Sequence, residues 1–149
     1  MSSKRMGILA GLLLLLLLSA PLTHGAESTQ IPADTRISLH LTQAERAEFL
    51  ASMRLMLGSV QGILKGIGSD DRSLIEKSAK QSGNQMVRDT PASIRKKLPP
   101  GFAELGAPTH LAFEEIAIRA ETDPRESLTR LMAHTMNQCM ACHARYKAD

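Results

Sequence analysis

At 149 residues with 43% apolar composition, the chain is long enough for one domain with a real core and too short for two comfortable ones. Its formal charge of +3 falls to about +1 if an N-terminal segment carrying Lys4 and Arg5 is removed, leaving 16 basic against 15 acidic residues. A near-neutral domain with one Tyr, three Phe and no Trp has little claim on nucleic acid.

Lys4 and Arg5 precede an uncharged stretch from Met6 to Ala20 centred on an unbroken leucine run, Leu12 to Leu18. That stretch is shorter than the roughly 20 residues a membrane span needs. Pro21, Thr23, Gly25 and Ala26 follow it as a processing region would. The pattern predicts a secretory signal over residues 1–25, cleaved after Gly25 or Ala26, and hence a periplasmic protein with no stable membrane span. Export also changes the meaning of cysteine, because outside the cytoplasm free thiols tend to be oxidised or otherwise engaged.

Residues 26–38 are polar, carry Pro32, and read as a flexible leader before a domain over 39–149. Thr42-Gln43-Ala44-Glu45 then forms a capping box, in which the Thr hydroxyl and the Glu carboxylate each satisfy a backbone N–H of the first turn. The first helix should run from about Gln43 to Lys65 on a stripe of Phe49, Leu50, Met53, Leu57, Val60 and Leu64, with Gly66 and Gly68 stopping it. Ser69 or Asp70 is expected to cap a more polar second helix, carrying Leu74, Ile75, Ala79, Met86 and Val87 and ending before Pro91. Residues 93–107 hold Pro99, Pro100, Gly101 and Gly106, so a loop or broken helix is expected there, with Phe102 and Leu105 tucked under the domain. Pro108 suits the first turn of a third helix bearing Leu111, Ile116, Ala117 and Ala120. Asp123-Pro124 repeats that start signal and opens a fourth, whose stripe runs from Leu128 through Met132, Met136, Cys139, Cys142 and His143 to Tyr146. Four helices with short polar connections and no convincing strand predict an all-α, antiparallel four-helix bundle.

Both cysteines of the chain fall in one pentapeptide, Cys139-Met140-Ala141-Cys142-His143. A C-x-x-C redox pair usually opens a helix, where the dipole lowers the first thiol's pKa, and accompanies a βαβ pattern; here it lies near a helix end in an all-α chain. Zinc needs four ligands, and this segment supplies three, with His134, His110 or His40 required to complete the set. Covalent haem needs two thiols for the porphyrin vinyls and an adjacent imidazole for the iron, and C-x-x-C-H supplies both.

With an export signal, a four-helix pattern and C-x-x-C-H within ten residues of the C-terminus, the chain resembles the class II c-type cytochromes, the cytochrome c prime family. "CMACHARYK" is similar to that family's C-x-x-C-H-x-x-Y-R ending, with Tyr146 matching and Lys147 standing where Arg is common. "ERAEFLASM" resembles the family's first-helix segment. Registered on "LKG" at Leu64 to Gly66, the resemblance places Arg46 near a haem propionate and Leu50 on the distal side of the iron. It implies one covalent haem c held by Cys139 and Cys142 and His143 as proximal ligand. It also implies diatomic gases such as NO and CO, or redox proteins, as partners, and a homodimer through the first two helices.

The distal residue sets the job. An aliphatic Leu50 leaves iron five-coordinate and open to gases, whereas a methionine sulfur makes it six-coordinate and suits an electron carrier. Met53, in "MR", would face the iron if the register slips by three residues, and Met56 lies one turn further on. Met132, Met136 and Met140 share a helix with His143, so they belong to its side of the porphyrin. His110 reads as a surface or capping residue. No acid, base or nucleophile set stands out, so the chain is not read as an enzyme. The reading from another class is a haem-free thiol-disulfide or structural helical module.

Overall fold

The computed structural model describes residues 33–149; the expected signal and residues 26–32 of the expected leader lie outside that range. A short strand β1 (Ile37–Ser38) is followed by helices α1 (Gln43–Ser69), α2 (Arg72–Lys80), α3 (Asn84–Asp89), α4 (Ala92–Arg95), α5 (Pro100–Arg119) and α6 (Arg125–Arg145), and strand β2 (Tyr146–Lys147) closes the chain. The four longer helices pack in a closed circuit, α1 on α2, α2 on α5, α5 on α6 and α6 on α1. Among the described residues no helix is long and apolar enough to cross a membrane.

α1 begins as its sequence dictates. The Glu45 N–H donates to Thr42 Oγ1 at 3.3 Å while the Thr42 N–H donates to Glu45 Oε2 at 2.8 Å, completing the capping box. Its end differs from expectation: Gly66 does not stop it, and the helix runs on to Ser69, where Asp70 adopts the left-handed conformation at φ 55°. Gly66 serves contact instead, because a Cβ there would lie 2.6 Å from Ile75 Cγ1 and 2.9 Å from the Asp71 carbonyl oxygen. Ser59, Gly62, Ile63 and Gly66 therefore form the close face, and two leucines of the expected stripe point outward, with Leu57 68% and Leu64 46% exposed. Small residues win this face because the backbone approach leaves no room for leucine.

α2 is capped by Asp71, whose Oδ1 accepts the Leu74 N–H at 2.9 Å, rather than by Ser69 or Asp70. The second helix is also broken at 81–83, where Ser82 and Gly83 are buried and the Glu114 carboxylate accepts the Asn84 N–H at 2.7 Å. α3 and α4 follow in place of a continuous helix.

Of the two expectations for 93–107, the broken helix is the one that forms, with α4 ending at Arg95 and α5 starting at Pro100. α5 starts at Pro100, with the Pro99 carbonyl accepting the Phe102 N–H at 2.8 Å, and continues through Pro108. Pro108 does not begin a helix: it is exposed, so water can serve the Glu104 carbonyl that its missing N–H leaves free. The next residue, Thr109, donates its hydroxyl to the Leu105 carbonyl at 2.8 Å. Asp123 likewise does not cap α6. Its carboxylate pairs with Arg119 one turn back, at 2.7 and 2.6 Å, and the Pro124 carbonyl takes the Ser127 N–H at 2.9 Å.

The main core gathers Ile63 and Ile75 with Phe113, Ile116, Leu128 and Met132, each at most 1% exposed and each contributing about 1.5–3 kcal/mol by burial. A second cluster sits at the other end: Leu39, Leu41, Ile94 and Tyr146, with Phe49 and Phe102 against them. It depends on the end of the expected leader, since Ile37 and Ser38 pair in parallel with Tyr146 and Lys147 and the Leu39 N–H reaches the Lys147 carbonyl at 3.0 Å.

Candidate functional site

Cys139, Cys142 and His143 occupy the last two turns of α6, immediately before β2. Spacings of three and four put them on one side of the helix. Both thiols are unpaired and partly buried, and Cys139 Sγ donates to the Thr135 carbonyl at 3.5 Å. Burial pushes both thiols up from their ordinary pKa, and for Cys142 the neighbouring Cys139 adds to it. Neutral thiols are therefore the resting form.

This side of α6 opens onto two cavities. The first, about 260 Å³, lies between α1, the 86–98 segment, α5 and α6, with Phe49, Met56, Ile94 and Phe102 among its apolar walls. The second, about 310 Å³, lies toward β1 and β2 and is bordered by Arg36, Leu50 and Tyr146. Phe49, Met53, Phe102, Cys142 and His143 line both.

The residues singled out in the sequence distribute as follows. Cys139 lines the first cavity; Cys142, His143 and Met53 line both; Leu50 and Tyr146 line only the second. Tyr146 is 4% exposed, with its ring 5.2 Å from that of Phe102 and the Arg145 guanidinium 5.5 Å above it. Arg46 lines neither cavity and donates Nε to the Ala148 carbonyl at 2.7 Å. Met56, Met136 and Met140 line the first cavity, the last two at an exposed edge, while Met132 belongs to the core. His134 is exposed and outside both cavities, and His40 stays before α1 with Nδ1 3.3 Å from Ser38 Oγ.

His110 is placed differently from its sequence reading. It is half-buried in α5, lines the first cavity, and has Nδ1 2.8 Å from the Ser82 carbonyl oxygen. Arg36 and the 90–98 wall of Thr90, Pro91, Ile94 and Leu98 carry no motif. They reach the site through contacts distant in sequence, which no local pattern announces.

The chain matches no protein-family model, and no significant match exists among curated proteins or solved structures. The chemistry of the site must speak from its own geometry. Among the described residues no three His, Cys, Asp or Glu side chains are placed to hold a metal ion, so a zinc site is not assembled around the cysteines. A reactive dithiol needs a lowered first pKa, and here both thiols move the other way. Two neutral thiols and an imidazole on one helix side, opening onto apolar space walled by aromatic rings, fit the demands of a flat apolar group tied down through sulfur and ligated through nitrogen.

Proposed function

We propose that the chain is a periplasmic c-type cytochrome, similar to the cytochrome c prime family, in which an antiparallel four-helix bundle holds one haem c through Cys139 and Cys142 with His143 as proximal iron ligand. The observation that carries this reading is the placement of that triplet on the cavity side of α6. The bound group would supply one-electron chemistry and an iron that binds diatomic gases such as NO and CO.

The chain's own residues would do the rest. Phe49, Phe102 and Ile94 exclude water from the apolar faces, and Cys139 and Cys142 supply the two sulfur atoms that fix the group in one orientation. Leu50 and Met53 both border space beside His143, and the job follows from which side chain faces the iron: an aliphatic one leaves room for a gas, a sulfur fills it. Met56 and Val60, the residues expected to serve a homodimer through the first two helices, line the first cavity instead, and the exposed Leu64 on α1 offers apolar surface for such a dimer.

Production in cells competent for haem attachment tests the reading directly. A Soret band that survives denaturation, with two thioether links in the native chain and one in Cys139→Ser, is the expected result. No Soret band, or a Cys139→Ser protein still holding two thioethers, overturns it.

A further inference from the structure

The first cavity is walled mainly by apolar groups, yet two imidazoles line it, His143 on α6 and His110 on α5. His110 is held with unusual care. Because a carbonyl oxygen can only accept, the 2.8 Å contact to Ser82 fixes the proton on Nδ1 and leaves the lone pair on Nε2. Ser82 itself is immobilised: it is fully buried and donates its hydroxyl to Ser59 Oγ on α1 at 2.7 Å. The adjacent Gly83 packs so closely on Glu114 that a Cβ would lie 2.7 Å from that carboxyl carbon. Three helical segments thus converge to orient one ring.

Here Nδ1 is tied to the buried turn, and Nε2, on the opposite edge of the ring, has no hydrogen-bond partner among the described residues. An imidazole that donates one N–H to a backbone carbonyl and keeps the other nitrogen free is the arrangement that metal-ligating histidines adopt, because the donated bond fixes the tautomer and raises ligand basicity. Met53 offers sulfur to the same cavity, but through three rotatable bonds that nothing anchors.

We propose that His110 Nε2 is the nitrogen ligand opposing His143, so that the cavity presents two imidazoles to one haem iron. This rests on the covalent-haem reading above. With His110, rather than Leu50 or Met53, as the group facing the iron, the iron would be six-coordinate and low-spin, and a gas would reach it only by displacing the imidazole.

The test uses the haem-loaded full chain. His110→Asn keeps an N–H within reach of the Ser82 carbonyl and removes Nε2, so the ring's structural tie is retained while the ligand is lost. The expected result is a low-spin ferric spectrum in the native protein, without the far-red sulfur-to-iron band that methionine ligation gives. His110→Asn then shifts to high spin and binds CO readily when reduced. A high-spin native spectrum, a sulfur-to-iron band, or a His110→Asn spectrum identical to the native one overturns the proposal with haem attachment intact. The native spectrum decides even if the variant fails to fold. Absence of covalent haem in the native chain overturns the underlying cytochrome reading instead.

Discussion

One substitution, made twice on the same helix, should have opposite effects. Gly58 and Gly66 both lie within α1, where alanine is favoured over glycine by roughly 0.5–1 kcal/mol because it loses less backbone freedom on folding. A Cβ at Gly58 meets nothing within 4 Å, so Gly58→Ala should keep that gain and raise Tm by about 2–5 °C. A Cβ at Gly66 would meet Ile75 Cγ1 at 2.6 Å, the Asp71 carbonyl oxygen at 2.9 Å and the Ile75 nitrogen at 3.0 Å. Two of those atoms are backbone of the capped first turn of α2 and cannot rotate away. Overpacking of this kind costs about 1–3 kcal/mol, so Gly66→Ala should lose about 1–2 kcal/mol net of the helix gain. Urea denaturation followed by far-UV circular dichroism, with m-values compared to confirm a common unfolded state, reads both. Equal stabilisation by the two substitutions would refute the close approach of α1 to α2 and with it the outward turn of Leu57 and Leu64.

Three further outcomes follow from named contacts. Ser59→Ala leaves the buried Ser82 hydroxyl without its acceptor and should cost about 1–3 kcal/mol, whereas the Ser59→Ala/Ser82→Ala pair should cost clearly less than the sum of the singles; strict additivity in the double-mutant cycle would deny the bond. Pro108→Ala restores a helix N–H at an exposed position and should stabilise by about 2 kcal/mol after the lost proline constraint on the unfolded chain is counted, so a fall in Tm would mean that the ring itself is needed. The Lys97 ammonium at 2.5 Å and then the Thr42 N–H pull the Glu45 carboxyl down to about 2 from an ordinary 4.5. A depressed folded pKa contributes stability that is complete above about 4.5 and is lost as pH falls toward about 2, so Glu45→Gln should flatten acid destabilisation across that window in a pH series of melts.

What the sequence disclosed was what local chemistry decides. The capping box at Thr42 and Glu45 needs only four consecutive residues, and the structure closes it at the expected atoms. The stripe expected on α6 holds only in part: Leu128, Met132 and, just past the helix, Tyr146 are buried, Cys139 and Cys142 are half-buried, and Met136 and His143 are exposed where the helix borders the cavities. Failures came where two signals competed. Gly66 looked like a stop because glycine ends helices, but glycine also lets backbones approach, and only the position of α2 reveals which role applies. Pro108 looked like a start, yet Pro99 and Pro100 had already supplied one eight residues earlier, and an exposed proline can be carried inside a helix. His110 resembled a surface residue because its partner, the Ser82 carbonyl, lies 28 positions away and depends on a helix break at 81–83 that no period predicts.

The same reasoning explains why a local motif sits on a site of non-local construction. Left alone, the last turn of α6 would fray, since four terminal carbonyls of any helix lack partners. Here the chain returns from far upstream to hold it. An Arg36 N–H donates to the His143 carbonyl at 3.4 Å, the Leu39 N–H reaches the Lys147 carbonyl at 3.0 Å, and Arg46 Nε reaches the Ala148 carbonyl at 2.7 Å. Arg46 was assigned by resemblance to a cofactor carboxylate, yet its hydrogen bond goes to the backbone beyond β2. That hydrogen bond ties down the segment following the helix end that bears Cys142 and His143, so Arg46→Met should loosen it. Amide hydrogen exchange in residues 142–148 should quicken in Arg46→Met relative to the native chain. Unchanged exchange would mean that the bond does not hold the segment.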